Sequence, residues 1–340
     1  MKLPRLSGPR PQPNRTPPPT PDWRLFFTIL VGGLLIAPLA YQVPNLGVDW
    51  VQYYSQRLGG WQYPPWPLLV IRPLTYLPTF VGLAIVVGWT LVAPAFITYR
   101  YARHTFPDNR VPAAMGVLFA LFNPLPWIIA WMGQIEVFVL LSLLILPFGV
   151  PMLFLKPNIA LFAALRSRRD ILIMVGTLAV SFVIWGWWPQ TVIDHILGTR
   201  LVQLGTMSWP RVSPALLIVG LPMFLLTDRD EMRLMAAGGL ITPFMMAYHY
   251  YLLLPALGRT SGWRQVLIWV STVFLYLASS FENVPVKALA QIFPVLVWLM
   301  LAPTLKPAEI LADPDIILNR LRRSVAAIFH QLAPRPAQAD

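Results

Sequence analysis

The chain has 340 residues, 56% hydrophobic and 12% charged, with a net charge of +12 and a mean hydropathy of +0.60. A soluble domain carries about 25% charged residues, so this composition reads as an all-α polytopic membrane protein with no soluble domain of useful size. The basic residues fall in short loops and tails, where the positive-inside rule accounts for them better than a nucleic-acid partner does; cysteine is absent, which excludes disulfides and thiolate metal sites.

Residues 1–22 are rich in Pro, Arg and Lys and lack an apolar stretch, so they read as a disordered tail and not as a signal peptide. The first span is Leu25–Val43, and the basic residues before it place the N-terminus in the cytoplasm. Asp49 then falls in a short external gap, Tyr41–Tyr63, and is followed by Tyr53, Tyr54, Trp61, Tyr63 and Trp66. A carboxylate so near a bilayer is costly to keep. It reads either as a general base on the external face or as a solvated loop acid that helps retain topology. The aromatic residues suit sugar rings and isoprenoid chains, and they equally suit an interfacial belt.

Pro64–Pro78, interrupted by Arg72 and Pro73, reads as an interface-lying helix. Arg72 reads either as a functional cation or as a snorkelling interfacial anchor. Thr79–Thr98 is the second span and delivers a basic loop, Arg100–Arg110, to the cytoplasm. Val111–Phe122 runs toward Asn123-Pro-Leu-Pro126, where two prolines break the helix; such a break belongs where it is buried in protein or lines a cavity. Gln134–Leu155 reads as the next span, with Gln134 and Glu136 near the outer face and Lys156 on the inner side, remote from external chemistry. Glu136 reads either as a second functional acid or as the partner of a cation.

Ile171–Trp187 leads out again to a long external loop, Pro189–Arg211, with a surface helix over Thr191–Leu204. Asp194 and His195 there read as solvated, and Arg200 and Arg211 are unranked external cations. Ser213–Leu226 returns. Leu234–Leu257 reads either as one span or as two half-helices meeting near His249. His249, next to Tyr250 and Tyr251, is either a satisfied core residue or, as an intramembrane titratable group, a functional one. Gly262–Ser280 and Ala288–Ala302 complete a body over residues 23–304, with about eight or nine spans of some 20 residues each. Residues 305–340 read as a basic tail, external if Leu234–Leu257 is one span and cytoplasmic if it is broken, with its charge favouring the cytoplasm; Asp315–Leu332 there has the spacing of an amphipathic helix lying on the inner leaflet. The four histidines are scattered without metal-ligand spacing. A divalent ion fits only if Asp49 and Glu136 meet in space.

Several of these stretches, taken in order, resemble glycosyltransferase family 87, the polyprenol-phosphate-mannose-dependent mannosyltransferases of the GT-C superfamily. They are the acid followed by tyrosines after the first span, Tyr63-Pro-Pro65, Pro73-Leu-Thr-Tyr-Leu-Pro78, Gly133-Gln-Ile-Glu136, Lys156-Pro157 and Met246-Ala-Tyr-His-Tyr-Tyr251. The likeness covers residues 24–260, and Glu136 stands where the family usually has Asn. It implies a GT-C-like fold in a plasma membrane and an inverting transfer of a sugar, mannose by analogy, from a polyprenyl-phosphate donor to a lipid or glycan acceptor outside. The resemblance gives Asp49 the role of base, with no cofactor beyond the lipid-linked donor. Candidate substrate contacts are Tyr53, Tyr63, Arg72, Gln134, Glu136, His249 and Tyr250. A translocator of lipid or small solutes and a non-catalytic membrane subunit are the alternative readings.

Overall fold

The structure, a computed structural model, describes residues 20–43, 46–54, 64–198, 212–227, 229–281 and 284–302. Tyr63, Arg200, Arg211, the side chains of Tyr53 and His195, and the amphipathic segment Asp315–Leu332 therefore lie outside the described residues.

The regular elements among the described residues are all helices. The central element is α3 (Thr79–Thr105), whose 27 residues extend about 40 Å at 1.5 Å per residue. It packs against α1 (Trp23–Tyr41) where Gly33 and Gly88 meet backbone to backbone; a Cβ on either glycine would collide with the other helix. Small residues at such a crossing are how apolar helices associate where lipid tails compete for every aliphatic contact. Trp89 Nε1 donates to the Leu30 carbonyl, 2.9 Å, at the same crossing.

Three helices are long and apolar enough to cross a membrane: α1, α3 and the pair α4 (Val111–Leu121) plus α5 (Pro124–Met132), which run together as one 22-residue span. Large apolar side chains face outward, Leu35 at 75% and Val183 at 86% exposure, as in a body embedded in lipid. The two prolines at 124 and 126 do not end this span. They occupy the first turn of α5, where their missing N–H groups are not needed, and Asn123 caps the turn by accepting from Leu125 N at 3.1 Å. Asn123 is buried, and its Nδ2 donates to Thr272 Oγ1 at 2.7 Å.

The segment after α5 corrects the sequence reading. Gln134–Leu155 does not cross. Helix α6 (Glu136–Leu144) stops after nine residues, the chain turns through 145–149, and a 3-10 helix (Val150–Leu155) runs back along it. Gly149 lies so close to the Ser142 carbonyl that a Cβ would overlap it, and Pro147 and Pro151 oppose continuation of α6. Lys156 is thereby returned to Glu136 instead of being carried to the far side.

After α7 (Leu161–Ala164), α8 (Arg168–Trp185) is capped by Ser167 and meets α9 (Trp188–Gly198) at a 91° bend centred on Gly186, φ +65°. Short helices α10 (Ala215–Leu225) and α11 (Glu231–Ile241) follow. Leu234–Leu257 takes the broken alternative: α11 ends at Ile241, and a buried 13-residue 3-10 helix, Ala247–Arg259, runs beside α3. Helices α12 (Trp263–Ser279), α13 (Val284–Ala290) and α14 (Ile292–Leu301) close the body.

One end of this body is tied by charge. Asp22 caps α1 and pairs with Arg100 at 2.7 Å. Asp230 caps α11 by accepting from Met232 N and Arg233 N and holds both arms of the Arg259 guanidinium. Tyr101 donates to Glu231 at 2.9 Å beside it. Asp49 lies at the opposite end.

Candidate functional site

Two glycines bring Asp49 to its partner. Gly133 ends α5 in the left-handed region, φ +70°, and a Cβ there would lie 2.6 Å from Gly47 Cα and 2.8 Å from Trp50 Cβ. Gly47, φ +77°, donates its N–H to the Trp131 carbonyl at 2.6 Å. This close approach, open only to residues without a side chain, docks the Asp49 loop on the turn that carries Gln134. Trp50–Tyr54 is wound as a π-helix, a form that recurs at functional sites. Trp50 Nε1 anchors it by donating to the Thr79 carbonyl at the start of α3, 3.1 Å.

Gln134 Nε2 donates to Asp49 Oδ2 through a short hydrogen bond, and Tyr54 OH donates to Gln134 Oε1 at 3.3 Å. This chain fixes one carboxylate oxygen of Asp49, which is half-buried at the mouth of the site. Burial pushes the Asp49 carboxyl up from the ordinary value of 3.8, and the Lys156 charge and the Gln134 hydrogen bond pull against that rise.

Deeper in lies a buried charged group. Lys156 Nζ is 2.7 Å from Glu136 Oε1 and 3.5 Å from His249 Nε2, and His249 Nε2 is 3.9 Å from the same Glu136 oxygen. Glu136 and Lys156 are 0% and 2% exposed, so the pair is out of reach of bulk solvent. Glu136 Oε2 is buried and makes no hydrogen bond among the described residues. Lys156 Nζ also sits 5.5 Å from the centre of the Tyr248 ring. Tyr251, two residues past His249, donates to the Thr90 carbonyl at 2.9 Å and ties the 3-10 helix to α3.

Four stretches far apart in sequence thus converge: the Asp49 loop, Gly133-Gln-Ile-Glu136, Lys156-Pro157 and the 3-10 helix that carries His249. Of the sequence-derived candidates, Asp49, Gln134, Glu136 and His249 belong to the group. Tyr250 does not. A 3-10 helix turns about 120° per residue, so Tyr250 points away from His249; its OH donates to Gln291 Oε1 at 2.6 Å and its ring meets Phe293 edge to face. Arg72 is exposed on α2 (Leu68–Thr75) with its guanidinium over the Tyr76 ring, 5.8 Å from the centre, and no ion pair links it to Asp49 among the described residues. Asp194 is exposed on α9 and accepts from Gln190 one turn earlier on the same helix at 2.7 Å.

Lys156 is the main correction, since its assignment to the inner side rested on a span that does not form. Asn158, two residues on, is a contact that sequence reasoning missed: its amide bonds His249 Nδ1 at 2.7 Å. The one signal for it was an amide just after Lys156-Pro157 in an apolar setting. No group of three or more His, Asp or Glu side chains converges among the described residues, and the cation beside Glu136 is Lys156. No family model matches the sequence, and no curated protein or solved structure matches it.

Proposed function

We propose that the chain is an inverting glycosyltransferase of the GT-C type, with up to six membrane crossings when the bent α8–α9 pair and the two shorter apolar helices are counted with the three long ones. It moves a sugar, mannose by analogy, from a polyprenyl-phosphate donor to a lipid or glycan acceptor at the external face of the plasma membrane. The observation that carries this reading is the pairing of a half-buried carboxylate, Asp49 on Gln134, with a buried cation and donor pair, Lys156 and His249, one step deeper.

Each group has a task in that reaction. Asp49 accepts the proton of the acceptor hydroxyl as its oxygen bonds to the anomeric carbon. The bond from that carbon to the phosphate oxygen breaks on the opposite face, and polyprenyl phosphate leaves with the electron pair. Lys156 Nζ and His249 meet the negative charge that develops there, which in a water-poor site is worth more than in water. Glu136 holds Lys156 through Oε1 and offers Oε2 to a sugar hydroxyl. A chemistry of this kind needs no bound nucleotide, in keeping with the lack of a Gly-rich phosphate loop in the sequence.

The test is transfer of radiolabelled mannose from polyprenyl phosphate by the purified protein in detergent, with a membrane lipid extract as the acceptor pool. Labelled product of new mass supports the reading. Donor binding with no covalent product from any acceptor pool overturns it. A translocator is the second reading, and the buried Glu136–Lys156–His249 group favours it because carriers keep titratable groups inside the membrane. Substrate flux into proteoliposomes without covalent product would establish it, and co-purification with a partner and no transfer would point to a non-catalytic subunit.

A pH profile follows from Asp49. Its carboxyl is held above the ordinary value, and a base works only when ionised. Transfer is therefore present above the raised pKa and falls as pH drops through it, so the acid limb of kcat/KM lies above 3.8. Because Lys156 lowers this pKa, Lys156→Met moves the acid limb further up in whatever activity the variant retains. An acid limb unmoved by that substitution would detach Lys156 from the base.

A further inference from the structure

We infer that Asn158 is a positioning residue that locks His249 in the tautomer with its proton on Nε2, making the imidazole a hydrogen-bond donor to the site and not a proton acceptor. The chemistry of the surrounding atoms fixes this. Asn158 Nδ2 lies 2.9 Å from the Phe244 carbonyl oxygen. A carbonyl only accepts, so the atom facing it is the amide nitrogen, and the orientation of the Asn158 amide is determined. The same nitrogen lies 2.7 Å from His249 Nδ1, closer than its other neighbour, Met245 Sδ at 3.6 Å, so its second N–H serves Nδ1. The backbone N–H of Met246 approaches Nδ1 as well, at 3.3 Å.

Two donors converge on Nδ1. A proton there would set N–H against N–H, so Nδ1 keeps its lone pair and the proton of the neutral ring sits on Nε2. Nε2 in turn faces Lys156 Nζ and Glu136 Oε1. The Lys156 ammonium could donate to a bare Nε2, but at 3.5 Å it is one longer contact against the two shorter donors at Nδ1, so the Nε2–H and the lysine N–H groups stand as neighbouring donors into one space, each available to an acceptor oxygen such as that of a phosphate ester. The Nδ1 lone pair, the only site that remains for a further proton, is already shared by the two donors.

The backbone keeps Asn158 in this place. Pro157 fixes the preceding φ, and Thr242 Oγ1 donates to the Asn158 carbonyl at 2.7 Å. Asn158 thus bridges the return from the α6 hairpin to the break after α11, and it reaches the site only through His249. Which oxygen receives the Nε2 proton rests on the glycosyl-transfer reading; the tautomer does not.

The experiment is nitrogen NMR of the full chain labelled at histidine, in detergent micelles, with His249→Gln used to assign the His249 signals among four histidines. The expected result is a bound proton on Nε2 and none on Nδ1. Asn158→Asp replaces the donor by a group that only accepts; the expected shift is of the proton to Nδ1, with a loss of transfer activity that unfolding temperature does not track. If that variant does not fold, Asn158→Ala is read for the loss of one donor at Nδ1. A wild-type ring protonated on Nδ1, alone or on both nitrogens, overturns the inference, and so does a ring unchanged by both substitutions. Should no sugar transfer be found while the Nε2–H tautomer is, the functional reading fails and this inference stands.

Discussion

Asp49→Asn should lower sugar transfer by about 10²- to 10⁴-fold, the usual contribution of a positioned general base, with no matching loss of stability. Asn keeps an oxygen at the position that accepts from Gln134, so the Tyr54–Gln134–residue 49 chain and the Gly47–Gly133 contact survive the change. What it removes is the basic carboxylate. The loss should appear in kcat with little change in KM for the donor, because Asp49 sits at the mouth and the proposed phosphate contacts lie deeper. Gln134→Leu is the informative companion. It leaves the carboxylate but frees the oxygen that Gln134 holds, so it should lower the rate less and move the acid limb up. Initial rates with labelled donor, read beside thermal unfolding in detergent, check both. Asn at 49 with an undiminished rate would return Asp49 to the role of a solvated loop acid.

The parts of this site that were legible in the sequence are those where a residue type is out of place in its surroundings. Asp49 beside a bilayer, Gln134 and Glu136 at the start of an apolar run, and His249 within one all stand out because burying them is costly. Spans that depend only on apolar length, such as α1 and α3, were legible for the same physical reason.

What the sequence hid was direction. Gln134–Leu155 has the length and hydropathy of a crossing, and hydropathy does not distinguish a crossing from a hairpin buried in protein. The decisive features are a few local ones, Pro147, Gly149 and Pro151, whose effect depends on the close approach of Gly149 to Ser142. With the direction misread, Lys156 was placed apart from Glu136, which it meets at 2.7 Å in the fold. Tyr250 was misread for a similar reason. Residues 247–259 form a 3-10 helix, and its period sets adjacent residues about 120° apart. The Asp230–Arg259 and Tyr101–Glu231 contacts join residues 29 and 130 positions apart, and no local pattern marks them.

The Glu136–Lys156 pair offers the sharpest separation of structure from function. Lys156→Met alone leaves a buried carboxylate without its cation and should cost about 3–5 kcal/mol of stability; Glu136→Gln alone leaves a buried ammonium and should cost a similar amount. The double variant removes both charges from a site that is 0–2% exposed. Since an uncharged pair of similar volume is often as stable as the ion pair it replaces, the double variant should regain most of that loss. The two single changes are then strongly non-additive in unfolding temperature, as expected for residues in direct contact. Activity should not follow. If Lys156 meets the donor phosphate and Glu136 meets a sugar hydroxyl, the double variant folds and still neither binds donor nor transfers sugar. A pair that served only to hold the α6 hairpin against the return to Lys156 would give the opposite outcome, with transfer restored along with stability. Unfolding in detergent and donor binding on the same four proteins therefore decide whether this buried charge is scaffold or site.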